Sequence, residues 1–194
     1  MHFSTSGIRI GRPENGTALN HDYYSADYIR DILQSVKTIA LVGASANTVR
    51  PSYLVMKYLL EKGYTVYPVN PGLAAQTLLG QQVYATLKDV PVALDMIDVF
   101  RNSDAAMGVV TDALALPKLP KVIWMQLEVR NDAAAALAEA AGLRVVMDRC
   151  PKMEYGKLSG EYAWVGGNAG VISSKRPILH ASGRFQSLGI GDKT

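Results

Sequence analysis

An arginine, a proline and a run of small residues stand together in Gly43-Ala44-Ser45-Ala46-Asn47-Thr48-Val49-Arg50-Pro51-Ser52. The chemistry open to such a stretch is anion recognition. Small residues let a backbone come close to a ligand, and Pro51 suits a first helical position, where its missing N–H costs nothing. The remaining N–H groups of a first helical turn attract negative charge, and Arg50 adds a full positive charge at the same spot.

The elements needed to position this stretch are visible around it. Five short runs rich in β-branched and apolar residues read as strands: Thr38 to Val42, Thr65 to Val69, Leu94 to Phe100, Lys121 to Met125 and Leu143 to Met147. Between them lie expected helices at Pro51 to Glu61, Ser103 to Leu116 and Asn131 to Ala141, and this alternation predicts an α/β fold with a parallel five-stranded sheet. Before the first strand, Ile29, Ile32, Leu33 and Val36 give Asp22 to Lys37 a helical spacing. Glycines and Pro91 interrupt the connection from Pro71 to Pro91, where only a short strand or turn near Gln82-Val83-Tyr84 is expected; after Pro151 periodicity is confined to Met153 to Leu158. The expected organisation is a loose arm over 1–20, one domain over 21–158, and a Gly/Ser-rich tail over 159–194.

In an open parallel sheet, ligands lie across the carboxyl ends of the strands where the topology reverses. The residues following the five strands are Gly43 to Ser52, Asn70-Pro71-Gly72, Arg101-Asn102-Ser103, Gln126, and Asp148-Arg149-Cys150-Pro151-Lys152, all polar, small or charged. The first loop has Gly43, Ser45 and Thr48 where a G-x-G-x-x-G dinucleotide fingerprint has three glycines. The second strand ends in Asn70, where NAD-binding folds place an acid for the ribose diol. A neutral amide tolerates a neighbouring phosphate, so a cofactor with a phosphorylated adenosine ribose is favoured, and NADP and coenzyme A both fit.

Gly43-Ala44-Ser45, Arg50-Pro51-Ser52, Pro68-Val69-Asn70-Pro71, Asp98-Val99-Phe100-Arg101, Trp124-Met125-Gln126 and Met147-Asp148-Arg149-Cys150-Pro151 together resemble the stand-alone CoA-binding proteins of bacteria. That family is similar to the CoA-binding domain of the succinyl-CoA synthetase α-subunit, and the resemblance runs from about Ile32 to Leu158. It implies a Rossmann-like doubly wound fold and a small-molecule partner, coenzyme A or an acyl-CoA. The implied cofactor-binding residues are Gly43, Ala44, Ser45, Asn47, Arg50, Pro51 and Ser52 around the phosphates, Asn70 and Pro71 beside the adenosine, and Arg101 and Gln126 along the same edge. One departure is Glu128, where relatives commonly carry glycine.

The expected role is that of a carrier, sensor or regulatory module, with an NADP-linked oxidoreductase as the alternative. Another alternative is thiol chemistry on bound CoA at Cys150, whose neighbours Arg149 and Lys152 would lower its pKa; against it, a lone cysteine commonly packs as a small hydrophobe. Tyr53 and Lys57 form a Y-x-x-x-K pair, but on the helix after the first strand, too early for the acid–base pair of short-chain dehydrogenases. Asp95 and Asp98 point to opposite faces of a strand and cannot work as a carboxylate pair. Asp98, in an otherwise apolar strand, is expected to take hydrogen bonds from loop N–H groups. His2, His21 and His180 show no metal-ligand spacing, and Gly166-Gly167-Asn168-Ala169-Gly170 lacks the histidine that acyl-CoA synthetases phosphorylate. Net charge of +3, spread along the chain, gives no footprint for nucleic acid. With a single cysteine, no secretion-type h-region and no long apolar run, the cytoplasm is the expected compartment. Apolar Trp164, Val171 and Ile172 in the tail make a homodimer plausible.

Overall fold

Ser25 sets where the chain first becomes helical: its hydroxyl accepts from the Tyr28 N–H, so α1 spans Ala26–Ser35 and not the longer Asp22 to Lys37. In this computed structural model, which describes residues 19–161, the strands and helices then alternate. They run β1 (Thr38–Val42), α2 (Pro51–Glu61), β2 (Thr65–Val69), β3 (Thr77–Leu78), β4 (Gln81–Gln82), β5 (Met96–Val99), α3 (Ser103–Leu114), β6 (Val122–Met125), α4 (Asp132–Ala140), β7 (Arg144–Val146) and α5 (Pro151–Ser159). Most of the N-terminal arm and the Gly/Ser-rich tail, with His2, His180 and Trp164, lie outside the described residues. No described helix is long and apolar enough to cross a membrane.

The main sheet is parallel throughout, in the order β2-β1-β5-β6-β7. Alternation along each strand sends Ile97, Val99, Ile123, Met125 and Val145 to one face, where they meet the small residues Ala106, Ala113, Ala134 and Ala138 of α3 and α4. On the other face Ile39, Leu41, Val66, Met96, Trp124 and Val146 pack against Ile29, Ile32 and Leu33 of α1 and Val55, Met56 and Leu59 of α2. Both faces are covered, which makes this an α/β Rossmann-like fold.

Each edge of the sheet is finished by a tyrosine. Beyond β2, the expected turn region holds a β3–β4 hairpin, after which Tyr84 forms a parallel bridge with Val69. Beyond β7, the Tyr28 hydroxyl donates to the Val145 carbonyl (3.1 Å), and the Tyr24 hydroxyl accepts from the Met147 N–H (2.8 Å). The two rings stack with centroids 5.8 Å apart, so the outermost strand does not offer bare backbone groups to another chain.

From β1 the chain winds outward through α2 to β2, then crosses back to β5 and winds the other way. The loops leaving β1 and β5 therefore diverge, and a crevice opens between them at the carboxyl end of the sheet.

Candidate functional site

Gly43 makes the crevice possible. Its φ is +93°, and a Cβ there would lie 2.7 Å from the Phe100 carbonyl oxygen, so only glycine lets the β1 and β5 exits pass this closely. The loop beyond it folds on its own side chains. The Ser45 hydroxyl accepts from the Asn47 N–H (3.2 Å), and Asn47 Oδ1 accepts from the Val49 N–H (3.1 Å). The Asn47 carbonyl takes the Arg50 N–H (3.0 Å), which aims the chain into α2.

The start of α2 differs from those of the other helices. Side chains of Ser25, Asn102 and Asn131 cap α1, α3 and α4, whereas Arg50 at the α2 cap makes no side-chain hydrogen bond. Asp27, Asp104, Asp132 and Glu154 stand in the first turns of α1, α3, α4 and α5, but the first turn of α2 has no acid. Tyr53 and Leu54 donate their N–H groups to the Arg50 carbonyl. Pro51 has none to give, which leaves the N–H and hydroxyl of Ser52 without a partner among the described residues. An anion would complete this turn.

A cleft of about 790 Å³ lies over that turn. It brings together nine of the residues expected from the sequence, Gly43, Ala44, Ser45, Asn47, Arg50, Pro51, Ser52, Asn70 and Arg101, and adds Ala46, Gly72, Leu73, Phe100 and Asn102. Leu73 and Phe100, both half-buried, supply apolar wall, and their residue types carry no sign of a ligand in the sequence. Pro71 is exposed beside the cleft but does not line it. Gln126 is also outside: it is buried and donates its amide Nε2–H to Asp98 Oδ1 at 2.8 Å.

Asn70 lines the cleft while its amide is spent on holding loops together. Nδ2 donates to the Ala44 carbonyl (2.7 Å), and Oδ1 accepts from the Gly72 N–H (2.9 Å). A carboxylate here would face the Ala44 carbonyl with no proton between them. The choice of amide over acid is thus already explained by the fold, and Asn70 by itself does not signal a ribose phosphate.

The guanidinium groups tell more. Among the described residues Arg30 pairs with Asp27, Arg130 with Asp22 and Asp132, Arg144 with the Ser35 hydroxyl, and Arg149 with Asp148 and the Asp22 carbonyl. Arg50 and Arg101 are the two described arginines whose side chains have no such partner, and both line the cleft. They are its only charged lining residues among those described. With Ser52 and the open end of α2, they form a positive, hydrogen-bond-donating surface suited to phosphate.

Several other expectations change. Asp98 takes its hydrogen bond from a side chain, Gln126, and not from loop N–H groups; Oδ2 is buried with no partner, and burial pushes the carboxyl up to about 7. At Asp95 burial also acts upward, but Lys121 and the N–H groups of Lys37 and Thr38 outweigh it and hold the carboxyl at about 2. Cys150 is buried at the head of α5, and desolvation pushes its thiol up to about 11, the reverse of what Arg149 and Lys152 imply in sequence. Arg149 is drawn to the Asp22 carbonyl and the Tyr24 ring, and Lys152 lies over Tyr58. Lys57 faces Glu61 on an exposed helix surface, as an ordinary ion pair at 3.9 Å.

Comparison with known proteins places the cleft in context. The model of a family described as CoA binding domain matches residues 37–156. An uncharacterised protein of Bacillus subtilis, YneT, is 34% identical over 127 residues, covering 66% of this chain and 91% of that protein. A hypothetical protein from Pyrococcus horikoshii superposes with a TM-score of 0.67 at 38% identity, covering 74% of this chain and 99% of the other. The dinucleotide-forming acetyl-coenzyme A synthetase 1 of Ca. Korarchaeum cryptofilum matches at 26% identity and a TM-score of 0.50, over 58% of this chain and 26% of the enzyme.

Proposed function

Because the chain belongs to the CoA-binding domain family, we propose that its cleft holds coenzyme A or an acyl-CoA, with phosphates at the open end of α2 and on Arg50 and Arg101. The observation that carries this reading is the pair of unpaired arginines beside α2, the one described α-helix with neither a side-chain hydrogen bond at its cap nor a first-turn acid; α5 also lacks the cap but has Glu154 in its first turn. Among the described residues the cleft lining contains no His, Cys, Lys, Tyr or carboxylate, so these residues supply no side chain that exchanges a proton near neutral pH. That composition supports a binding role, as carrier, sensor or regulatory module, over an NADP-linked oxidation.

Isothermal titration tests the reading directly. CoA gives a binding heat, 3′-dephospho-CoA binds more weakly, and Arg50→Ala or Arg101→Ala lowers CoA affinity by about 10- to 100-fold, the worth of a charge-assisted hydrogen bond of roughly 1.5–3 kcal/mol. No heat with CoA would remove the proposal, equal affinities for the two ligands would remove the ribose-phosphate contact, and tighter binding of NADPH would favour the oxidoreductase.

A further inference from the structure

A carboxyl group that is wholly buried, with one oxygen bonded and the other bare, is an unfinished arrangement, and Asp98 has it. It stands on β5, the strand whose exit supplies Phe100, Arg101 and Asn102 to the cleft. Arg101 lies three residue steps along the chain, roughly 10 Å if extended. Its register neighbours are Leu41 and Trp124, neither of which carries charge, and α1 and α2 meet this face with apolar side chains together with the half-buried Tyr28 and Tyr53, tyrosines being neutral near pH 7. From β6 it receives only the Gln126 amide, and at the head of α5 the Cys150 thiol is the titratable group that feels it. No described Lys, Arg or His is hydrogen-bonded or ion-paired with it, although Lys152 follows Cys150 in that helix.

We propose that the buried Asp98–Gln126 pair couples occupancy of the cleft to a proton, Asp98 Oδ2 taking up H⁺ from solvent when an anionic ligand seats on Arg50 and Arg101. This rests on the CoA reading of the same cleft. The direction follows from charge alone: a negative ligand near a buried carboxylate disfavours the ionised form. A unit charge at about 10 Å, through an effective dielectric near 20, raises the midpoint by roughly one pH unit, and salt screening at the open cleft reduces that. The free group already titrates near neutrality, at about 7, so a modest rise moves a measurable fraction of a proton. The balance is simple: buffer loses a proton, Oδ2 gains an O–H bond, and no electrons move.

The test is titration of the protein with CoA at pH 7 in buffers of different ionisation enthalpy. Wild type takes up a net fraction of a proton relative to Asp98→Asn. The ligand's own phosphate monoester, with its second pKa near 6, releases protons when arginines bind it, so its contribution has the opposite sign and appears equally in the variant. Should Asp98→Asn not fold, ¹³C-carboxyl NMR of aspartate-labelled wild type decides: saturating CoA raises the Asp98 midpoint by about half a pH unit. Binding with equal proton uptake in wild type and variant, or an Asp98 titration unchanged by CoA, overturns the coupling and leaves the CoA reading standing. Absence of any binding heat overturns both.

Discussion

Replacing Gly43 by alanine separates two costs that a glycine can hide. The first is conformational: a side chain at φ +93° is strained by about 1 kcal/mol. The second is contact. The new Cβ would meet the Phe100 carbonyl oxygen at 2.7 Å and its carbon at 3.0 Å, both backbone atoms, and Phe100 is anchored through its own N–H to the Val42 carbonyl at 2.8 Å. Neither strand exit can yield without distorting the β1–β5 pairing, an overpacking cost of about 1–3 kcal/mol. Gly142 supplies the control, since its φ is +87° but nothing lies within 4 Å of its would-be Cβ. Gly142→Ala should cost about 1 kcal/mol, and Gly43→Ala about 2–4 kcal/mol. At roughly 2–4 °C per kcal/mol for a domain of this size, melting followed by circular dichroism should fall by about 2–4 °C for the control and 4–16 °C at Gly43. Equal losses for the two variants would show that the strand exits are not in contact, and the account of how the cleft forms would fail.

Asn70→Asp should lower stability by about 2–3 kcal/mol, combining a lost hydrogen bond with carboxylate–carbonyl repulsion at Ala44, and thermal melts would read a loss of about 4–12 °C; an unchanged melt would mean that the amide is not bracing the loops. Glu128 occupies φ +65° with its N–H bonded to Asp148 Oδ1, a bond that glycine would keep, so Glu128→Gly should stabilise by about 0.5–1 kcal/mol in urea unfolding. Asp98 is raised from an unfolded value near 3.9 to about 7, so its contribution is fully present below about pH 4 and is lost as pH climbs through 7. The stability of wild type relative to Asp98→Asn should therefore fall by up to about 4 kcal/mol between pH 4 and pH 8; the contribution of Asp95 is common to both proteins and cancels.

Local chemistry determined which of these features could be read from sequence. The bounds of β1, α2 and β2 match expectation because Pro51 and the apolar runs announce their own ends. The third main strand is shorter than Leu94 to Phe100, since Asp95 turns its carboxylate to the Lys37 and Thr38 N–H groups before the ladder begins. The hairpin turn at Leu79-Gly80 has positive φ at both residues, and leucine gives no hint of that conformation. Helix α5 opens on Cys150 without a side-chain cap and contains Gly156, so little in its sequence declares it. At the cleft, the small residues and arginines were legible because their types suit close approach to an anion. Which polar side chains are already spent was not: Asn70 finds its partner on Ala44, and Gln126 finds Asp98 on a neighbouring strand. Such pairings depend on the register of the folded sheet, which no local pattern records.

The distribution of charge along the carboxyl edge argues that the opening at α2 is a feature of binding and not an accident of surface composition. At the β6–β7 end, Arg130 and Arg149 engage Asp22, Asp132 and Asp148, and α4 carries both a capping Asn131 and Asp132 in its first turn. The same chain, equipped with the same residue types, leaves α2 uncapped, places no acid in its first turn, and sets Arg50 and Arg101 nearby without counter-charge. An absent cap costs about 1 kcal/mol, and two unpaired cations on one cleft add repulsion. The proposed ligand, carrying several negative charges, would relieve both deficits at once, so part of its affinity would come from strain that the protein bears without it. This coupling also explains why the neighbouring backbone is held so firmly by Gly43, Ser45, Asn47 and Asn70: donors fixed before the anion arrives lose little freedom when it binds.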